Sequence, residues 1–267
     1  VIGQENVFEA LISSVCGLCR TIKFELGFIS QQQEYKIRKA GLQVLTSVFQ
    51  SMVNFMGNAQ VVESESVIEE IRKDKIFYIQ AAKLFNEKPA KGIALLVEAG
   101  KIPDPETNLD EAAKALAKYL YEHRNTVIDK KVLGEFVGGY KPLDAKVRYE
   151  YTALQSFKDM EIVPAFRKYL NTFRLPGEGQ IVERVVETFS KHYFKETSGT
   201  SYNCFQDEDA AYLVAYSIIM LNTELHNPAF AFRERMPEVM YVASLGNTNG
   251  GGDFPSSFLS SIYQDIK

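Results

Sequence analysis

Phe173-Arg-Leu-Pro-Gly-Glu-Gly-Gln-Ile-Val-Glu-Arg184 ends one helical pattern and starts another. Upstream of it, Ile162, Phe166, Tyr169, Leu170 and Phe173 recur at helical spacing from Glu161, with Pro164 near the first turn, where a missing N–H costs little. Pro176 then biases Leu175 away from helical geometry, and Gly177 and Gly179 free the backbone on both sides of Glu178. Downstream, Val182, Val185, Val186, Phe189 and Tyr193 share one face of the next helix. The break therefore carries a lone carboxylate at its tip. Taken alone, Glu178 reads as a first-turn acid that stabilises the helix following it.

Helical spacing extends outward in both directions. Beyond the break, Asp207, Glu208 and Asp209 suit the positive end of an apolar helix that begins near Ala210, and Pro228 closes it. Its first turns are apolar nearly all round, which predicts burial on most sides. Asn222, Thr223, Glu224, His226 and Asn227 make its last turns polar. Before the break, the pattern predicts helices over about Val67 to Phe85, Lys91 to Ala99, Leu109 to Tyr121, Asp129 to Phe136 and Lys141 to Ser156. Lys88-Pro89, Ile102-Pro-Asp-Pro105, Gly138-Gly139 and Tyr140-Lys-Pro142 punctuate them. Alternating runs rich in Val, Ile and Thr are missing, so the expected fold class is all-α.

At the amino end, Val7, Leu11, Val15, Leu18 and Ile22 and then Ile37, Val44, Val48, Met52 and Phe55 predict an antiparallel helix pair. The polar stretch Asn58 to Ser66 loses that rhythm. The expected organisation is thus a helical pair with linker over 1–65 and a larger domain over 66–267.

Composition narrows the function. With 46% hydrophobic and 24% charged residues, 267 residues suffice for a sizeable core. A net charge of −4, without a block of basic residues, leaves no footprint for phosphate backbones, so nucleic acid is not an expected partner. The longest apolar run, Ala210 to Leu221, falls short of the roughly 20 residues a transmembrane helix needs. No secretory-signal pattern opens the sequence, and three cysteines in a chain this long fit a reducing compartment better than a disulfide framework.

Conventional catalytic parts are missing too. Cys16-Gly-Leu-Cys19 has the spacing of half a zinc site but no second pair, and reads as helix packing. His123, His192 and His226 fall in no metal-ligand spacing. Asn249-Gly-Gly-Gly252 lacks the lysine and hydroxyl of a phosphate loop and reads as an ordinary loop.

Four ordered segments resemble the Sec-seven domain, the catalytic module of guanine-nucleotide exchange factors for Arf GTPases, over about Val67 to Lys267. They are Phe85-Asn-Glu-Lys-Pro-Ala-Lys-Gly-Ile93, Phe173-Arg-Leu-Pro-Gly-Glu-Gly-Gln180, Tyr216-Ser-Ile-Ile-Met-Leu-Asn-Thr-Glu-Leu-His-Asn-Pro228, and Asp253-Phe-Pro with Ser260-Ser-Ile-Tyr263. Gln33 to Leu45 is similar to the end of the helical region upstream of this domain in large, Golgi-associated exchange factors.

The resemblance implies an elongated right-handed superhelix of about ten helices after the helical pair. It also implies a hydrophobic groove beside the exposed loop bearing the glutamate. Glu178 would be the working residue, driving GDP from an Arf-family GTPase without covalent chemistry or cofactor. Gln180, Glu183, Asp209, Tyr216, Ile219, Met220, Asn222, Thr223 and Asn227 would line the groove. Tyr216, Ser217, Met220 and Met236 resemble the pattern of members inhibited by brefeldin A. The implied setting is cytoplasmic, peripheral to Golgi or trans-Golgi membranes, with recruitment through regions outside this stretch.

This sequence departs from the family at several positions. Alanine is common where it has Gly179, lysine at Ile181, aspartate at Glu183, and aspartate or serine at Glu224. Those changes bear on exchange rate and on the choice of Arf. Two plainer readings stand beside the resemblance: Ile219 and Met220 as simple core, and the whole as a non-catalytic helical scaffold whose groove binds a partner helix.

Overall fold

The computed structural model describes residues 12–17, 31–58, 65–227 and 235–267. It divides into two compact units, Val1–Ile71 and Arg72–Lys267. Eleven helices can be followed end to end: α1 Gln31–Asn58, α2 Glu65–Glu87, α3 Pro89–Glu98, α4 Leu109–His123, α5 Lys130–Val137, α6 Pro142–Ala153, α7 Ile162–Leu170, α8 Gly179–Thr197, α9 Glu208–His226, α10 Glu238–Ser244 and α11 Ser256–Ile266. A short helical stretch also covers 12–17, and no strand occurs among the described residues. The all-α expectation holds.

In the first unit, the predicted helix over 7–22 lies mostly outside the described residues, as does the linker over 59–64. The second predicted helix falls within α1. Its least exposed stripe is Ile37, Gly41, Leu45 and Val48, whereas Val44 and Met52 stay exposed. Spacing at this period is met by more than one stripe, and the one drawn inward runs through the small Gly41.

In the second unit, helix starts follow local chemistry. Asn108 caps α4 through the Glu111 amide, Asp129 caps α5 through the Lys131 and Val132 amides, and Asp207 caps α9 through the Ala210 amide. Pro89 and Pro142 open α3 and α6 at the first position, where no N–H is needed. The α4 and α6 helices pack along each other, as do α8 and α9, with α6 against α8 and α9 against α11.

Rings connect these layers. Tyr121, Tyr151, Phe173, Tyr169, Phe189, Tyr193, Phe205 and Phe254 form an unbroken chain with centroid separations of 5.2 to 6.3 Å. Phe189 is the hub, fully buried and also touching Phe157 at 5.3 Å and Phe166 at 4.6 Å. Phe189→Ala removes four ring contacts from a close-packed site and is expected to cost about 3–5 kcal/mol of stability, read as a lowered urea midpoint.

Some helix ends differ from the spacing prediction, and α6 stops at Ala153 where Ser156 was expected. The α7 helix stops at Leu170, three residues before Phe173, because neighbours capture the next backbone groups. Thr172 Oγ1 donates to the Tyr169 carbonyl at 2.7 Å, and the Arg174 N–H donates to the Lys130 carbonyl at 2.8 Å. The helices α10 and α11 were not expected from periodicity. The first has only seven residues, two turns that leave little pattern to count.

Candidate functional site around Glu178

The loop that carries Glu178 is fastened to α5 through backbone contact. Lys130 Nζ donates to the Asn171 carbonyl at 2.7 Å, complementing the Arg174 bond to the Lys130 carbonyl. Between these, Gly134 brings helix and loop into direct contact. A Cβ at that position would stand 1.9 Å from the Arg174 carbonyl oxygen, so no larger residue fits without moving the loop. One turn on, a Cβ at Gly138 would meet Ile181 Cγ2 at 2.3 Å.

Two arginines tie the 137–139 turn to α8. Arg148, itself buried, donates through Nη1 to the Val137 and Gly139 carbonyls at 2.9 and 3.0 Å and through Nε to Thr188 Oγ1 at 3.0 Å. Arg184 Nε donates to the Gly138 carbonyl at 2.9 Å. Phe173, buried against Tyr169 and Tyr151, pins the other side of the loop. Only its tip projects.

At that tip Glu178 occupies the N-cap position of α8 with extended geometry, φ −77° and ψ 123°. Its side chain is exposed and makes no capping hydrogen bond. The plain reading of Glu178 as a first-turn acid rests on charge and needs no such bond. That attraction of a negative charge to the helix start is on the order of 0.3–1 kcal/mol and leaves the side chain available. Gly177 and Gly179 are open around their Cα atoms, with nothing within 4 Å of an added Cβ.

Helices α8 and α9 lie side by side, and an acidic hollow of about 250 Å³ opens between them. Glu183 and Asp209, both expected in the groove, line it together with Glu187, Ser190, Lys191, Glu208 and Tyr212. Lys191 Nζ bonds Glu187 Oε1 at 2.8 Å, and that contact, reinforced by Glu208 and Asp209, raises its pKa. Burial, and then the Glu183 charge, push the Tyr212 phenol up as well. Glu187 and Lys191 were not expected at the site, although their i,i+4 spacing from Glu183 along one face of α8 is a signal that could have found them. Their meeting with Tyr212, a participant the sequence reading missed, required the packing of α9.

The rest of the expected groove divides into surfaces of different character. Tyr216 is half-buried and lies 6.0 Å from Tyr212, ring to ring. Ile219 is half-buried against the core, while Met220 is 54% exposed, too open for simple core. Gln180, Asn222 and Thr223 are exposed, and the Thr223 hydroxyl is turned back to the Ile219 carbonyl at 2.9 Å. Asn227 closes α9 in extended geometry; Pro228 lies outside the described residues.

Ser217 and Met236 meet through a tyrosine pair. Ser217 Oγ lies 2.9 Å from the Tyr241 hydroxyl, and Tyr263 Oη donates to the Met236 carbonyl at 2.7 Å, with the two tyrosine rings 6.1 Å apart. Ile181 is half-buried over Gly138 rather than directed at solvent.

Comparison with known proteins decides the family. The Sec7 domain model matches residues 74–267. The chain belongs to the Sec7 domain family. An uncharacterised protein of Schizosaccharomyces pombe is 38% identical over 200 residues, 74% of this chain and 13% of the relative. The human brefeldin A-inhibited guanine nucleotide-exchange protein 1 is 29% identical over 315 aligned positions, covering 98% of this chain and 16% of its own length.

Solved Sec7 domains share the fold. One, described as ARF1-GDP bound to a Sec7 domain complexed with brefeldin A, aligns at 34% identity and TM-score 0.63 over 74% of this chain and 94% of that one. The Sec7p catalytic domain aligns at 29% identity and TM-score 0.60, over 70% and 94%. This chain spans between about a tenth and a sixth of the length of the curated relatives it matches. Among its described residues no helix is long and apolar enough to cross a membrane.

Proposed function

We propose that this Sec7 domain releases GDP from an Arf-family GTPase by placing the Glu178 carboxylate beside the β-phosphate and its magnesium ion. The observation that carries the reading is an exposed, uncapped carboxylate on a loop whose base is held by α5, the Arg148 and Arg184 bonds and the Phe173 ring. A bound diphosphate is held by backbone amides, a lysine and the metal, all of positive character. A carboxylate brought alongside opposes each of them. Two unit charges about 4 Å apart interact by roughly 4 kcal/mol at an effective dielectric near 20, equivalent to about a thousandfold in the equilibrium.

Charge alone does not dock a protein. The exposed Met220, with half-buried Tyr216 and Ile219 beside it, offers apolar surface, and the Glu183, Asp209 hollow offers a negative partner for a basic residue of the GTPase. This face supports a groove reading for Tyr216, Ile219 and Met220. The same surface makes a purely structural role for Met220 unattractive.

The direct test is loss of a labelled GDP from a purified Arf-family GTPase. Catalytic amounts of the chain are expected to accelerate it, and binding without acceleration overturns the exchange reading in favour of a scaffold. A second expectation concerns brefeldin A. Tyr216 and Met220 lie along the α9 face, while Ser217 and Met236 are joined through Tyr241 and Tyr263. The drug is expected to trap this chain with an Arf–GDP complex on a sizing column, and no co-elution at saturating drug removes the four-residue pattern as a sensitivity signature. Action at Golgi membranes, promoting GTP loading and vesicle transport, is the proposed setting, with membrane recruitment left to parts of the protein beyond this domain. The segment over 1–65 is proposed as the end of an upstream regulatory region, and its deletion followed by the same exchange assay measures whether it restrains the domain.

A further inference from the structure

A cleft of about 800 Å³ opens on the second unit, and it shares no lining residue with the surface around Glu178. Its floor is apolar. Ile93 and Val97 of α3, Val132 and Phe136 of α5 and Leu143 of α6 face it, and all but Phe136 are only half-buried. Carboxylates dominate its rim: Glu87, Glu98, Asp104, Glu106 and Glu135, with Asp144 deeper in. Lys88 and Lys141 are the two cations of the lining.

The rim charges are incompletely neutralised. Lys91 engages Glu87 at 3.2 Å, and Lys131 stands 4.0 Å from Glu135. Asp104 accepts the backbone N–H of Glu106, a turn bond that leaves its charge in place. No ion pair among the described residues involves Glu98 or Glu106, both exposed. A half-buried apolar floor with a predominantly negative rim is the profile of an interaction surface. A negative rim repels anionic lipid and nucleic acid, and it attracts a positively charged segment.

We propose that this cleft binds an amphipathic helix of a partner protein, with aliphatic side chains seated on the floor and lysines or arginines on the flanks facing Glu98, Glu106 and Glu135. Apolar anchors three and four residues apart match a floor built from one turn each of α3 and α5, and the flanking cations complete the charge complement. The occupant leaves Glu178 uncovered. Val132 and Phe136 present one face of α5 to the cleft, while Gly134 on the same helix carries the Glu178 loop.

The test uses the intact chain and a fluorescein-labelled helix of about 18 residues, five turns, with leucine and lysine at amphipathic spacing. Anisotropy is expected to show it binding about tenfold or more tightly than the same helix carrying glutamate for lysine. Glu98→Lys/Glu106→Lys/Glu135→Lys is expected to weaken binding about tenfold, with an unchanged thermal unfolding midpoint confirming the fold. The control Glu122→Lys/Asp159→Lys, at exposed positions outside the cleft, is expected to leave it within about twofold. Equal affinity for the two helices overturns the proposal, and so does an equal loss in the rim variant and the control. No GTPase enters the measurement, so its failure is distinct from failure of the exchange reading.

Discussion

Glu178→Lys is expected to abolish stimulated GDP release while the domain keeps its fold and most of its hold on the GTPase. The side chain is exposed and makes no capping bond, so its replacement removes no contact on which the structure depends. What disappears is a negative charge, and a positive one arrives. If one carboxylate beside the phosphate contributes about 4 kcal/mol, its loss lowers the accelerated rate about a thousandfold, and lysine there joins the groups that retain GDP. Stopped-flow release of labelled GDP reads the rate, and a pull-down with the nucleotide-free GTPase reads the binding. Near-normal release by this variant refutes the role assigned to Glu178, whatever the binding shows.

Gly134→Ala is expected to impair exchange without touching any surface offered to the GTPase. The added Cβ would stand 1.9 Å from the Arg174 carbonyl, and real contacts of that kind stay beyond 3.0 Å, so the loop must retreat by about 1 Å or more. Misplacement on that scale costs a positioned group up to about a hundredfold in rate. Alanine within a helix recovers up to about 1 kcal/mol of propensity, against roughly 1–3 kcal/mol of overpacking, so the stability loss should be modest beside the loss of rate. Unchanged exchange by a folded Gly134→Ala protein shows that the α5 seat does not set the position of Glu178.

Gly179 and Ile181, where the resemblance leads one to expect other residues, gain different weights in three dimensions. An alanine at Gly179 would meet nothing within 4 Å, so glycine there serves no packing need and leaves the Glu178 loop with extra backbone freedom. Ile181 is half-buried on Gly138 and belongs to the anchoring of α8. Its effect on exchange would run through loop position more than through a missing charge.

Much of this molecule was readable along the chain, because helical period, caps and proline breaks are local. The starts at Asn108, Asp129 and Asp207 bond to amides two or three residues on. The Pro176-Gly177 break and the free glutamate beside it are likewise properties of a dozen consecutive residues. Long-range contacts were not readable in this way. Gly134 meets Arg174 forty positions away, Arg148 reaches Thr188 across the same distance, and Glu183 shares its hollow with Asp209 only because α8 and α9 pack together. Backbone conformation responds to neighbours in sequence, so it placed Glu178 at an exposed helix start. Side chains and carbonyls from distant segments meet only after packing, and it is their meeting that holds the loop in place and sets an acidic hollow beside Tyr212.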